Sequence, residues 1–353
     1  GVGAPYRRAG LLGCPAVFLR WRVRRAEVAV RPPITTFDPF AGAPRLHGAR
    51  QVGVRPGTEV IHPLAATGAR PLAFEVDGLP DGVTVDGEGI LRGTAPGEAG
   101  DHPLRVRVVN EHGSVEGAVT LCVGDTLALT PPMGWNSWNV YRDEVSAEVI
   151  VAVAEALVAT GMRDLGYQYV NIDDHWHAAA RLPDGTPAAD PVRFPDGIAP
   201  VAARVHELGL KLGIYSDAAH LTCGNCFGGY GYEAIDARTY ASWGIDLLKY
   251  DYCHAPHARA AAEARYQMMS RELAGCGRSI VFSVCEWGLR RPWEWAPRLG
   301  AAYWRTTPDI FGATSADVER RTAIPARRPT SRGLGRVRRA RIRLRRSRRG
   351  AGR

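Results

Sequence analysis

The chain has 353 residues, enough for two domains, and an ordinary hydrophobic content of 45%. No apolar run reaches the roughly 18 residues of a bilayer span, so no membrane partner is expected. The formal net charge of +9 is local, because residues 320–353 hold 15 Arg and no Asp or Glu, leaving −6 for the rest.

Residues 1–43 are rich in Arg and Pro without a clear period, and an irregular or unstructured segment is predicted there. The chain starts with Gly, as a fragment or processed form would. Leu11–Leu19 is apolar but short, and the basic residues after it argue against a signal peptide. Residues 44–124 change character. Short alternating runs, among them Val83-Thr-Val, Gly89-Ile-Leu-Arg-Gly and Ala118-Val-Thr-Leu-Cys-Val, are separated by Gly, Pro and Asp. That spacing predicts a small all-β sandwich.

From Thr130 the pattern becomes strand and helix in alternation, an α/β arrangement. Strands are predicted at Met133–Trp138, Tyr167–Asp173, Leu210–Ser216, Ile245–Asp251, Ser279–Val284 and Ala301–Arg305. Ser146 is placed to cap a helix whose apolar positions include Val149, Ile150, Val153, Leu157 and Val158, and Gly161 is placed to end it. Further helices are predicted near Ala199–Leu208, Ala234–Trp243 and up to Leu273. A repeat of about 30 residues fits successive βα units with right-handed crossovers. This predicts a (β/α)8-type TIM barrel over 129–315, incomplete, with about six of its eight units. The tail, 316–353, shows neither strand alternation nor amphipathic helix and is predicted to be disordered. Its Arg-only basicity reads either as a polyanion-binding segment or as out-of-frame translation of a GC-rich gene. The second reading is preferred, and no nucleic-acid partner is expected.

Several of the runs stop on carboxylates, and side chains at strand C-termini build the active face of such a barrel. Taken alone, each residue has a plain alternative. Lys249 and Asp251, two apart on one strand face, could be an ordinary ion pair. Arg305 and Asp309 have the spacing of a surface pair. Asp173 and Asp174 could line a solvated loop or a metal site, and Trp138 and Tyr215 could be core. Cys223-Gly-Asn-Cys226 with Cys253 and His254 raises the question of zinc, but a second Cys-x-x-Cys pair is absent from the sequence. Gly228-Gly-Tyr-Gly lacks the Lys-Ser/Thr that a phosphate loop needs.

Six motifs in order resemble the α-galactosidases of glycoside hydrolase family 27. They are Pro131-Pro-Met-Gly-Trp-Asn-Ser-Trp, Asn171-Ile-Asp-Asp, Lys211-Leu-Gly-Ile-Tyr-Ser-Asp, Leu247-Leu-Lys-Tyr-Asp-Tyr-Cys, Cys285-Glu-Trp-Gly and Trp304-Arg-Thr-Thr-Pro-Asp-Ile. The stretch Gly78-Leu-Pro-Asp-Gly-Val-Thr-Val-Asp resembles the immunoglobulin-like modules attached to bacterial carbohydrate-active enzymes. The resemblance implies a retaining exo-acting hydrolase of terminal α-galactosides, working through a covalent glycosyl-enzyme. Asp251 would be the nucleophile, kept ionised by Lys249, and Asp309 the general acid/base. Trp138, Asp173, Asp174, Tyr215, Lys249, Cys285, Trp287 and Arg305 would hold the sugar. Cys223 and Cys253 would form a disulfide. No cofactor and no metal are implied. Trp287 favours galactose over N-acetylgalactosamine, whose relatives would carry smaller residues there.

Against the family pattern, Val140 and His175 stand where many relatives carry Cys. The last barrel strands and a C-terminal β-sandwich cannot be found, so a truncation or frameshift near Ser315 is expected, and activity of the chain as written is doubtful. Rival readings are a β-L-arabinopyranosidase or α-N-acetylgalactosaminidase on the same scaffold, and a nonhydrolytic carbohydrate-binding protein. The disulfide and the family favour an extracellular or periplasmic location. Oligomeric state is left open.

Overall fold

The computed structural model describes residues 38–309, and residues 39–309 lie within one compact unit. The segments 1–37 and 310–353, with the Arg-rich tail and the expected break near Ser315, fall outside the described residues.

The N-terminal part is all β. Its strands are β1 (Arg45–Leu46), β2 (Gln51–Val54), β3 (Glu59–Pro63), β4 (Ala66–Thr67) and β5 (Ala73–Asp77). They continue as β6 (Val83–Val85), β7 (Ile90–Thr94), β8 (Gly100–Asn110) and β9 (Gly113–Val123). A four-stranded sheet runs β2-β9-β8-β5 and a three-stranded sheet runs β3-β7-β6, with β1 and β4 paired separately. Val52, Val54, Leu104, Val106, Val108 and Leu121 from the first sheet share one core with Val60, Val83 and Leu91 from the second. Alternation along β8 explains this: Leu104, Val106 and Val108 are buried, while Arg105 is exposed. The sequence reading did not include β3. Its Glu-Val-Ile-His-Pro run is buried after the first residue, so it shows no alternation. His62 sits there at 4% exposure. Burial, and then the charge of Lys211, push its pKa down to about 3.

From Gly134 the chain forms six parallel strands in sequential order: β10 (Gly134–Asn136), β11 (Tyr169–Asn171), β12 (Lys211–Asp217), β13 (Leu247–Asp251), β14 (Val281–Val284) and β15 (Tyr303–Trp304). The helices are a single turn, α1 (Trp138–Tyr141), and then α2 (Ala147–Ala159), α3 (Ala199–Glu207), α4 (Glu233–Ser242) and α5 (Arg259–Gly275). This is a partial TIM barrel. The Ser146 side chain caps α2 by accepting from the Val149 backbone N–H at 3.3 Å, and Gly161 ends that segment with φ +75°.

Period-two alternation sorts the strands into two faces. On β13, Leu248 and Tyr250 pack outward with α-helical residues such as Ala237, Tyr266 and Met269. The intervening Leu247 faces the interior, where it clusters with Tyr169, Val281 and Leu127. Lys249 and Asp251 share that inward face. On α5, Ala262, Tyr266, Met269 and Leu273 recur at helical spacing and are all buried. No helix among the described residues is long and apolar enough to cross a membrane.

The β-sheet region meets the barrel at the N-terminal ends of the strands. Arg92 donates to the carbonyls of His206 (2.9 Å) and Glu207 (3.0 Å), the last residues of α3. Ser279, just before β14, accepts from the Arg55 backbone N–H (2.8 Å) and bonds the Thr58 hydroxyl (2.7 Å). Arg163 reaches Glu88 at 2.7 Å, and Arg278 reaches Glu59 at 2.7 Å. The opposite, C-terminal ends of the strands stay free of the sheets.

Candidate active site

The C-terminal strand ends carry the carboxylates. Asp251, the last residue of β13, is 4% exposed. Its Oδ2 accepts from the Tyr215 hydroxyl (3.2 Å) and its Oδ1 from the Tyr252 backbone N–H (3.0 Å). Burial pushes its pKa up to about 6, against the lowering effect of Lys249, the Cys285 thiol and the Tyr252 N–H. The ammonium was expected to hold Asp251 charged. It does pull in that direction, but removing the carboxylate from water outweighs it.

Lys249 instead makes its direct bond across the barrel. Its Nζ donates to Asp173 Oδ2 at 2.7 Å and lies 4.9 Å from the Tyr215 ring centroid. Burial alone would lower the pKa of this ammonium, but Asp173, Cys285 and Asp251 together raise it. Asp173 Oδ2 also accepts from Asn136 Nδ2 (2.7 Å), and its Oδ1 accepts the Asp174 backbone N–H (2.9 Å). Asp174 is held by the backbone N–H groups of His175 and Gly224, both at 2.8 Å. The adjacent acids are therefore neither a solvated loop nor an unsatisfied pair. Both are buried and hydrogen-bonded, at 2% and 1% exposure.

Arg305, just beyond β15, carries the set onward. Its guanidinium lies 3.9 Å from Cys285 Sγ and pairs with Asp309. The surface-type pair raised from the spacing of Arg305 and Asp309 is thus present, and the Asp309 side chain is 48% exposed. Trp138, expected against the sugar, stacks parallel to His175 with centroids 6.0 Å apart. Trp287 occupies the left-handed region at φ +58°, unusual for a bulky residue. Cys223 and Cys253 form a disulfide, with Cα atoms 5.1 Å apart, that ties the loop after β12 to the loop after β13.

Every residue singled out from the sequence lies at the C-terminal end of the strands or in the loops there. Tyr215 bonds Asp251, one chain of contacts runs Cys285–Arg305–Asp309, and another runs Asn136–Asp173–Lys249. Two features were missed. Asp217 ends β12 in register with Asp251, fully buried. Its Oδ2 accepts the Cys253 N–H at 2.9 Å, and its Oδ1 has no partner. Burial, then the Asp251 charge, raise its pKa to about 8. The cue that picked out Asp251, an apolar strand stopping on a carboxylate, applies equally to Asp217. The second is Arg181, which grips Asp236 with both guanidinium nitrogens (2.5 and 2.8 Å) and also donates to the Gly185 and Gly228 carbonyls. It clamps the loop after β11 to the loop after β12, a contact no local pattern announces. A cavity of ≈ 400 Å³ lies at the other end of the barrel against the β-sheets, lined by Gln51, His62, Tyr169, Lys211 and Asp246 among others. None of the carboxylates at the C-terminal strand ends lines it.

A parallel barrel with buried acids, a lysine and aromatic rings at its C-terminal strand ends defines a sugar-hydrolase type of site. Residues 130–304 match the family model described as alpha galactosidase A. This part of the chain belongs to the α-galactosidases of glycoside hydrolase family 27. An alpha-galactosidase A of Cellvibrio japonicus is 48% identical over 187 residues, covering 53% of this chain and 45% of its own. A Dictyostelium discoideum protein described provisionally as an alpha-galactosidase is 53% identical over 184 residues, 52% of this chain and 47% of its own. The crystal structure of a Bacteroides fragilis protein, also provisionally an alpha-galactosidase, is 45% identical with a TM-score of 0.76. It covers 78% of this chain and 58% of its own, more than the barrel alone supplies, so the match takes in part of the β-sheet region. The chain spans about half the length of the curated relatives it matches.

Proposed function

We propose that this protein is built for retaining hydrolysis of terminal α-galactosides, with Asp251 as nucleophile and Asp309 as acid/base. The observation that carries this is the environment of Asp251: a buried carboxylate at a parallel strand end, oriented by Tyr215 and Tyr252 near a lysine. A nucleophile aimed at an anomeric carbon needs fixed geometry and little competing water. In the first step an Asp251 oxygen bonds the anomeric carbon as the leaving-group oxygen departs with a proton from Asp309. Water then breaks the ester, and Asp309 takes its proton. Tyr215 and the Tyr252 N–H hold the nucleophile, and the Lys249 charge favours its ionised form. Asp173, Asp174 and Arg305 are the proposed sugar ligands, with Trp138 and Trp287 as apolar walls. The comparisons support α-galactosides as the substrate class, since the relatives carry that name.

The test is trapping rather than turnover. 2-Deoxy-2-fluoro-α-galactosyl fluoride should lose fluoride and leave a fluorogalactosyl ester that hydrolyses slowly. Mass spectrometry should place it on the peptide containing Asp251, and Asp251→Asn should abolish it. Labelling should quicken as pH rises through about 6, where the buried carboxyl loses its proton. A folded chain that stays unlabelled but binds galactose would replace hydrolysis by carbohydrate binding.

A further inference from the structure

The expected Cys223–Cys253 disulfide is present, yet it leaves part of the zinc question raised by Cys223-Gly-Asn-Cys226 open. Cys223 is consumed by its disulfide with Cys253, leaving the second cysteine of the pair outside that bridge. Cys226 Sγ lies with Asp174 and His177, one donor atom from each, all within 4.8 Å of one another. The Asp174 carboxylate and His177 Nδ1 are 3.7 Å apart. A second imidazole borders the group, with His175 Nδ1 3.8 Å from Cys226 Sγ.

His177 is the second, independent observation. Its side chain is fully buried, yet neither ring nitrogen has a hydrogen-bond partner. Such a group in a native interior calls for an explanation, and an ion is one of the few available. The ring cannot turn away to find another partner. It is stacked on Trp176 at 4.0 Å and met edge-on by Phe227 at 4.7 Å. Packing therefore fixes the direction of Nδ1 toward Asp174.

We infer that Cys226, His177 and Asp174 form a binding site for a zinc-class divalent cation beside the proposed sugar pocket. Zinc–sulfur bonds of about 2.3 Å and zinc–nitrogen or –oxygen bonds of about 2.0–2.1 Å put tetrahedral ligand atoms roughly 3.3–3.6 Å apart. The 3.7 Å between His177 Nδ1 and Asp174 is already close to that, and the separations to Cys226 Sγ, within 4.8 Å, would close by up to about 1.5 Å on binding. One thiolate, one imidazole and one carboxylate suit zinc or cobalt and not magnesium or calcium, which prefer all-oxygen sets. The two nearby guanidinium groups are already engaged, Arg181 with Asp236 and Arg193 with Asp190, so a deprotonated Cys226 and Asp174 would present two negative charges to a dication. Binding releases the thiol proton to solvent. Cys226 is only half-buried, which gives the ion a way in, and His175 is near enough to Sγ to supply a fourth ligand.

The consequence rests on the proposed role of Asp174. A carboxylate that ligates a metal is no longer free to accept from a sugar hydroxyl, so metal and galactose should exclude each other.

The experiment is a cobalt(II) titration of the oxidised, chelator-stripped full chain. A single equivalent should give a near-ultraviolet thiolate-to-metal charge-transfer band that zinc displaces. Cys226→Ser should remove the band with the fold intact by circular dichroism. His177→Gln should weaken binding at least about tenfold, since loss of an outer-shell partner alone costs 10–100-fold. No saturable band, or a band that survives in folded Cys226→Ser and so belongs to another cysteine, overturns the inference. Galactose added to the cobalt form should bleach the band. If the band forms on Cys226 but ignores galactose, the metal site stands and the sugar role of Asp174 falls.

Discussion

Two buried aspartates bracket the same strand and behave in opposite ways. Asp246 lies one residue before β13 at the sheet-facing end of the barrel, and Asp251 closes β13 at the other end. Asp246 accepts from the Leu212 backbone N–H (2.9 Å), from His206 Nε2 (2.8 Å) and from Arg278 Nη2 (2.7 Å). Burial alone would raise its pKa, but His206, Arg278 and Lys211 bring it below the usual carboxylate value. Asp251, similarly buried, is pushed up to about 6 by that burial, which the charge of Lys249, bonded to Asp173, only partly offsets. Burial is common to both, so it does not mark a functional acid. What marks it is a carboxylate removed from water and left short of positive charge. One end of the barrel is a satisfied joint and the other keeps an electrostatic deficit, the kind of arrangement that reactive groups require and stability does not.

Removing each carboxylate should separate these roles. Asp246→Ala leaves Arg278, His206 and Lys211 buried around a missing anion and should cost about 3–5 kcal/mol of unfolding free energy. Asp251→Asn keeps an acceptor for Tyr252 and removes a poorly compensated charge. Above pH 6 it should leave the denaturant midpoint unchanged or raise it, while abolishing trapping. A large destabilisation by Asp251→Asn together with a harmless Asp246→Ala would invert the assignment of the two ends.

The sequence made one of these ends far more legible than the other. Strands that stop on acids, and the motifs around them, point to Asp173, Asp174, Asp251 and Asp309 because those signals are local. Helix bounds were readable for the same reason: the Ser146 cap and the glycine at 161 fall where the structure starts and stops α2. The joint was illegible, because Asp246, Arg278, His206 and Glu59 come from four separate segments and none carries a local signature. The Cys226–His177–Asp174 group is hidden in the same way, assembled from the loops after β11 and β12. Lys249 shows a different failure. Its face was correctly read from strand periodicity, yet its partner was misjudged, since a long side chain on one strand can bond the neighbour's neighbour as readily as the residue two places along.

Asp217 gives the comparison a pH axis. Its folded pKa of about 8 lies above the ordinary value of 3.8, so the native state holds a proton that the unfolded chain releases. Stability from this group is fully present below about pH 4 and is lost as pH rises to about 8. Asp251 adds a loss of the same sign between about 4 and 6. Asp217→Asn can still accept from Cys253 N–H but carries no charge. Urea unfolding of the oxidised protein at several pH values should show the wild type losing stability between pH 5 and 8 and the variant losing clearly less. Parallel curves would mean that Asp217 stays ionised and that the deficit at this end is confined to Asp251.

The smallest effect concerns how firmly the satisfied end is joined. Arg92 on β7 caps the C-terminus of α3 by donating to the His206 and Glu207 carbonyls, where a cation also meets the favourable end of the helix dipole. It binds Asp86 at 3.0 Å as well, but that pair is about one-third exposed and adds little. Arg92→Ala should cost about 1–2 kcal/mol, the worth of two hydrogen bonds to a partly charged donor. The form of the transition matters more than its size. We propose that the β-sheets and the barrel unfold together, because their contacts run through buried Thr58 and half-buried Ser279 and Arg278 as well as through Arg92. Arg92→Ala should then shift one cooperative transition, seen identically by tryptophan fluorescence and far-ultraviolet circular dichroism. If the two signals part in the variant, the joint rests mainly on this one side chain, and the sheets are a separable cap on the barrel.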